Sequence, residues 1–282
     1  MKKRAISIFV AITSVFLVSC GSASITETTT MSTNAETKTS ATETEVADVL
    51  NDVDFIVNLG KGLEARWAII YAEPDSLSDN ETLSEYKERC RNYVNVELDC
   101  IGDIDDYKFE NEEMSEIARN YYDCLELQKN AVDDFTDGTD SPEWNYATYK
   151  RYVLLEEFYS KYGLTVSDEY EATLQDMIDT EYPEAKKYVA IQDFVNNMTV
   201  DFQEDTEKAL GDYKYYKALV TNDTEYEISS VEIDIDLLDE AGVVVEQKTC
   251  WLSDLQPDGK YYAEFSTDTS FSDKNIRISA NY

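Results

Sequence analysis

The sequence predicts an α+β chain in separate domains, an N-terminal all-α helical domain over residues 46–198 followed by a C-terminal β-sandwich over 199–282. Two observations predict it. Apolar residues recur every three or four positions from Val46 onward, the spacing of one buried helix face, and after Asn197 the period drops to two, the spacing of strands. The last 84 residues also carry turn-forming clusters at short intervals and no helical pattern, which suits a small sandwich.

Each helix has its own signals. Val49, Val53, Ile56, Leu59, Leu63, Trp67 and Ile70 trace the first face. Ser78 and Glu81 stand at capping-box spacing ahead of a second, through Leu83, Tyr86, Cys90, Leu98 and Ile101. Asn111 is placed to cap a third, with Met114, Ile117, Tyr121, Cys124, Gln128, Val132 and Phe135 on one side. Ser141-Pro142-Glu143 starts a fourth by cap, fixed φ and helix dipole, and Gly163-Leu164 stops it. Its face includes Trp144, Ala147, Arg151, Leu154 and Phe158; Trp67 and Trp144 are thereby assigned to the core. Ser167 is expected to cap a fifth helix, and Pro183 to divide it from a sixth ending near Met198.

In the C-terminal part Val200 and Phe202 alternate, as do Val231, Ile233, Ile235 and Leu237. Asp239–Gly242 and Leu255–Gly259 supply turn chemistry, and Ile276, Ile278 and Ala280 form a closing strand.

The N-terminus reads as an export signal over 1–19: Lys2, Lys3 and Arg4, then an apolar run from Ala5 to Val18 that is too short to span a bilayer as a mature helix. Leu17-Val18-Ser19-Cys20 resembles the lipobox of bacterial lipoproteins. The resemblance implies cleavage before Cys20 and a diacylglyceryl group on its thiol, hence stable attachment to the extracytoplasmic face of the cell membrane. Residues 21–45 hold 13 Ser or Thr and no aromatic residue; with Cys20 they form a lipidated, disordered tether reaching about 28 Å.

Net charge is −35, with no histidine. Such acidity excludes nucleic acid as a partner. Without histidine there is no Ser-His or Cys-His pair, few zinc sites are open and the usual proton shuttle is missing. No phosphate-cradling glycine loop is present, and no EF-hand frame fits: from Asp103 the glycine position holds Lys108, and from Asp133 the twelfth position holds Trp144. Asp137, Asp140 and Glu143 are left as a weak divalent candidate, and no cofactor is expected. Cys90, Cys100, Cys124 and Cys250 follow the anchor; Cys90 and Cys100 on one helix stand about 15 Å apart, beyond disulfide reach. The chain has 21 Tyr against 10 Phe. Strand alternation makes Tyr215-Tyr216 and Tyr261-Tyr262 each place one ring outside the inward row, which nominates these four as ligand-binding candidates for a glycan or peptide.

Val220-Thr221-Asn222, Ile235-Asp236-Leu237-Leu238-Asp239 with Gly242, and Leu255-Gln256-Pro257 leading to Gly259 resemble the FxLYD domain, an immunoglobulin-like module of lipoproteins in Gram-positive bacteria. Ile235 stands for its Phe and Leu238 for its Tyr. The helical part, with Gly62–Trp67 and Tyr162–Val166, looks like the N-terminal part of lipoproteins carrying the same module. The resemblance implies an immunoglobulin-like sandwich and no activity, cofactor or partner. The expectation is a non-enzymatic, lipid-anchored binding or structural module of the cell envelope, with an envelope protein or glycan as its partner. Two alternatives stand beside it, a surface receptor using the exposed tyrosines or a groove between the domains, and a histidine-independent hydrolase.

Overall fold

The structure, a computed structural model, describes residues 50–73, 81–136, 139–208 and 211–281. Cys20, the tether, Ser78 and Asp137 lie outside the described residues. Within them the chain is α+β, a helical N-terminal region followed by antiparallel sheets. No helix among the described residues is long and apolar enough to cross a membrane.

Helix α1 (Asp52–Ala72) opens on a capping box in which the Asn51 side chain accepts from the Val53 and Asp54 N–H groups and Asp54 accepts from that of Asn51. The box sets the phase. Phe55, Leu59 and Leu63 are fully buried, while Val53, expected inside, is 69% exposed. Helix α2 (Leu83–Ile101) starts at a Thr82–Glu85 box, not at Ser78–Glu81; Glu81 instead receives Arg89, with Nη2 2.6 Å from Oε2. Asn111 caps α3 (Glu112–Ala131) as expected. Ser141 caps α4 (Pro142–Tyr162), which ends on Gly163 at φ +68°, where Leu164 N–H reaches the Phe158 carbonyl at 3.0 Å.

The expected fifth helix is later and shorter. Ser167 accepts from Tyr170 N–H through its carbonyl, forming a turn, and α5 runs only Glu171–Asp176. Pro183 does not divide two helices. A π-helical turn, Met177–Glu181, joins α5 to α6 (Tyr182–Asn197), and Pro183 sits in the first turn of α6, where its missing N–H is least costly.

One buried polar cluster ties α1 to α4 together. Glu97 (α2) is fully buried and receives Arg66 Nη1 (α1) at 3.0 Å, Arg151 Nε (α4) at 3.2 Å and the Tyr121 hydroxyl (α3). Gln128 (α3) accepts from Arg66 and donates at 2.6 Å to Thr148 (α4), which donates to the Trp144 carbonyl. Burial alone would raise the Glu97 pKa; the guanidiniums of Arg151 and Arg66 outweigh it and hold the carboxyl below its ordinary range. Gly62 makes room, since a Cβ there would stand 3.1 Å from Glu97 Cγ and carbonyl oxygen. Around the cluster Phe55, Tyr121 and Phe158 pack ring to ring in a core that also buries Trp67 and Trp144.

Six strands follow among the described residues: β1 (Gln203–Glu204), β2 (Lys214–Thr221), β3 (Ile228–Leu238), β4 (Val244–Leu255), β5 (Lys260–Thr267) and β6 (Asp273–Asn281). They form two antiparallel sheets, β1-β2-β5 and β4-β3-β6. Val231, Ile233, Ile235 and Leu237 of β3 share one core with Ala218, Val220, Ala263 and Phe265 of the other sheet. Val200 and Phe202 are buried in that core but precede β1 instead of forming it. The side chain of Asn222 is spent on turns: it donates to the Tyr226 and Leu255 carbonyls, both at 2.9 Å, and accepts from Thr224. Gly259 is required by closeness, because a Cβ would meet the Gln256 carbonyl at 2.7 Å.

Helix α6 serves the sheets. Ile191 is fully buried in their core, Phe194 and Met198 pack against it, and Lys186 pairs with Glu225 of the β2–β3 turn at 2.7 Å. A fragment of residues 199–282 lacks all three apolar side chains. It should therefore melt about 10 °C or more below a fragment of residues 182–282, the consequence of losing one full and two partial burials. Equal melting temperatures in calorimetry would show that α6 adds nothing to the sheet core.

Candidate functional site

The sheet register decides which of the nominated tyrosines face outward. On β2, Ala218 and Val220 point inward, so Tyr216 does too; its ring stacks on Phe265 with centroids 4.9 Å apart and 15° between planes. On β5, Ala263 and Phe265 point inward, and Tyr261 follows them, its hydroxyl accepting from Gln256 N–H at 2.6 Å and donating to the Asp254 carbonyl. Both rings are structural, one in the core and one bracing a turn. Tyr215 and Tyr262 take the opposite face, and Tyr262 is 60% exposed.

Tyr262 does not stand alone. It is paired directly across the ladder with Leu219, which is 52% exposed, and the Lys217 ammonium lies 5.8 Å from its ring centroid. Leu219 also lines a groove of about 530 Å³ between the end of α6 and the end of β2. Phe194 and Met198 form its apolar wall and Leu219, Val220 and Thr221 its strand wall; its lining includes the carboxylates Asp193 and Asp223 and no Lys or Arg. Asp193 accepts from the Tyr146 hydroxyl at 2.6 Å, with Lys150 Nζ 3.7 Å away. Asp223 is exposed.

Other surfaces and groups are less organised. Trp251 is 58% exposed on the outer face of β4, and Val243–Val245 at the β3–β4 hairpin are exposed as well. Sequence reasoning passed over Trp251, although its phase, opposite to buried Cys250 and Leu252, was the signal. Burial pushes the thiols of Cys90, Cys124 and Cys250 up to about 11, which keeps them protonated and unreactive at neutral pH. Among the described residues no group of three or more Cys, Asp or Glu is placed to hold a metal ion, and Asp140 accepts from the Tyr86 hydroxyl at 2.9 Å.

No family model, curated protein or solved structure matches the chain.

The two tyrosine orientations separate in a stability measurement. Tyr216→Ala should cost about 2 kcal/mol in urea denaturation, through lost burial and ring stacking. Tyr262→Ala should move the melting temperature by less than about 2 °C, as expected of an exposed ring. Equal losses would mean that Tyr262 is a packing residue and not part of a free surface.

Proposed function

We propose that the chain is a non-enzymatic lipoprotein, anchored through lipid on Cys20 to the extracytoplasmic face of the membrane, whose immunoglobulin-like, FxLYD-type C-terminal part presents a binding surface. The observation that carries this reading is the exposed Leu219–Tyr262 pair beside the groove between α6 and β2. An apolar pair continuous with a concave, partly apolar groove is the kind of surface on which partners dock. The acidic surface supports the same picture, since like charge keeps the body off anionic lipids while the tether gives it reach.

The absence of histidine leaves the groove without the usual acid–base and nucleophile-activating partners, and the buried thiols are insulated. Binding, not turnover, is the chemistry that its residues suit.

Photo-crosslinking on intact cells tests this. A benzophenone amino acid at position 262 should give a discrete adduct with an envelope component, and the same group at the exposed position 57 should not. With Cys20→Ala the processed chain should leave the membrane fraction and the adduct should be lost. Membrane retention of the processed Cys20→Ala chain would refute the anchor; identical adducts at 57 and 262 would refute the surface.

A further inference from the structure

The groove is bounded on one side by an unfinished β-ladder. Strand β2 pairs with β5 along its whole length, from Lys214↔Thr267 to Thr221↔Lys260. On its other edge β1 covers only Gln203↔Lys217 and Glu204↔Tyr216. The Asp205 N–H bonds the Tyr215 carbonyl at 2.7 Å, which fixes Tyr215 and Lys217 as the residues whose backbone groups face β1. By the two-residue period of a strand, Leu219 and Thr221 face the same way. There β1 has ended, because the chain from Thr199 to Phe202 leaves the edge and buries Val200 and Phe202 in the core. The groove with its α6 wall occupies that place.

We infer that the β2 edge at Leu219–Thr221 is a strand-addition site for an extended, basic polypeptide segment. The inference rests on the binding-surface reading above and names its ligand class. Three features converge. Open N–H and C=O groups in strand geometry are matched by another extended backbone, which offers donors and acceptors at the same repeat. An added strand places alternate side chains toward Phe194 and Met198 of the groove wall, so small or aliphatic residues suit every second position. Asp193 already faces Lys150, but Asp223 is exposed and the lining holds no basic residue, in a chain of net charge −35, so Lys or Arg suits the positions between. A flat polysaccharide offers neither the matched backbone donors nor the positive charge.

The open edge is short, two outward-facing residues, which limits the site to a few backbone hydrogen bonds and a dissociable, transient interaction. Exposed Leu219 and Tyr262 then form the shoulder over which the added segment continues.

The test uses the full mature chain in detergent micelles and three capped nonapeptides: one alternating Lys and Val, one with Glu replacing Lys, and the Lys–Val peptide N-methylated at alternate amides. The Lys–Val peptide should bind with NMR shifts centred on residues 219–221 and with slowed amide exchange at Leu219 and Thr221. N-methylation preserves charge but removes the backbone donors, and should weaken binding about tenfold or more, the worth of two or more lost hydrogen bonds. The Glu peptide should not bind, and Asp223→Lys should weaken the Lys–Val peptide by up to about fivefold, the range of an exposed ion pair. Leu219→Pro removes an N–H from the open edge only, so it should abolish binding with the circular dichroism spectrum unchanged. If that variant does not fold, the N-methylated peptide still decides. An N-methylated peptide that binds within twofold of its parent overturns strand addition while leaving the binding-surface reading intact, as do shifts centred elsewhere. Protection of Leu219 and Thr221 by self-association without peptide assigns the edge to a second copy and overturns the proposal too.

Discussion

A carboxylate with no exposure to water, held between two guanidiniums, is the constraint on which the helical region depends. Glu97 on α2 meets Arg66 from α1 and Arg151 from α4, and Tyr121 from α3 donates to it. Removing such charges from water costs several kcal/mol per ion, and their attraction offsets this only in good geometry with the remaining donors satisfied. Gln128 and Thr148 supply that satisfaction, so no buried side-chain polar atom among the described residues lacks a partner. A cluster of this kind penalises any packing in which one helix slips, because a slip strands a charge in the core. Gly62 is part of the same device. A helix interior prefers alanine by about 1 kcal/mol, and the glycine is kept where a Cβ would press on Glu97.

The second region depends on the first through α6. That helix runs on from the π turn at Met177–Glu181, packs against α4, and delivers Ile191 into the sheet core. The position of α6 then sets the groove, since its last two turns form the wall opposite β2. Burying Val200 and Phe202 draws the following chain off the β2 edge, so the packing that closes the core also leaves the edge open.

Much of this was legible in sequence. The helical period, the caps at Asn111 and Ser141, the Gly163 stop, the β3 alternation and both long turns are local signals, and local signals survived. Where two caps competed, the apolar phase decided: Thr82 lies directly before Leu83, and Ser78 does not. Val53, expected inside, lies outside, and Phe55 holds the core position instead, once Asn51 sets the start. Arg151 was visible as a basic residue on an apolar face, but its partner was one acid among 59. Alternation required one outward ring in each tyrosine pair, yet choosing Tyr215 and Tyr262 needed the inward phase that Ala218 and Ala263 reveal. A groove between the domains was an expectation, but its place and lining were not legible. They follow from where a two-residue strand ends, and no local propensity encodes that.

The buried cluster is most directly tested by chemical denaturation of the mature chain and its Glu97→Gln variant near pH 7. The substitution keeps shape and removes the one charge that balances two guanidiniums. Because Glu97 is held below its ordinary pKa, its stabilisation is full above about pH 4.5, the usual glutamate value, and fades as the pH falls through the folded value. The expected result is a loss of about 3–5 kcal/mol at neutral pH, with the deficit shrinking in acid as Glu97 itself becomes protonated. A loss below about 1 kcal/mol, or a deficit that does not change with pH, would contradict the role assigned to this carboxylate.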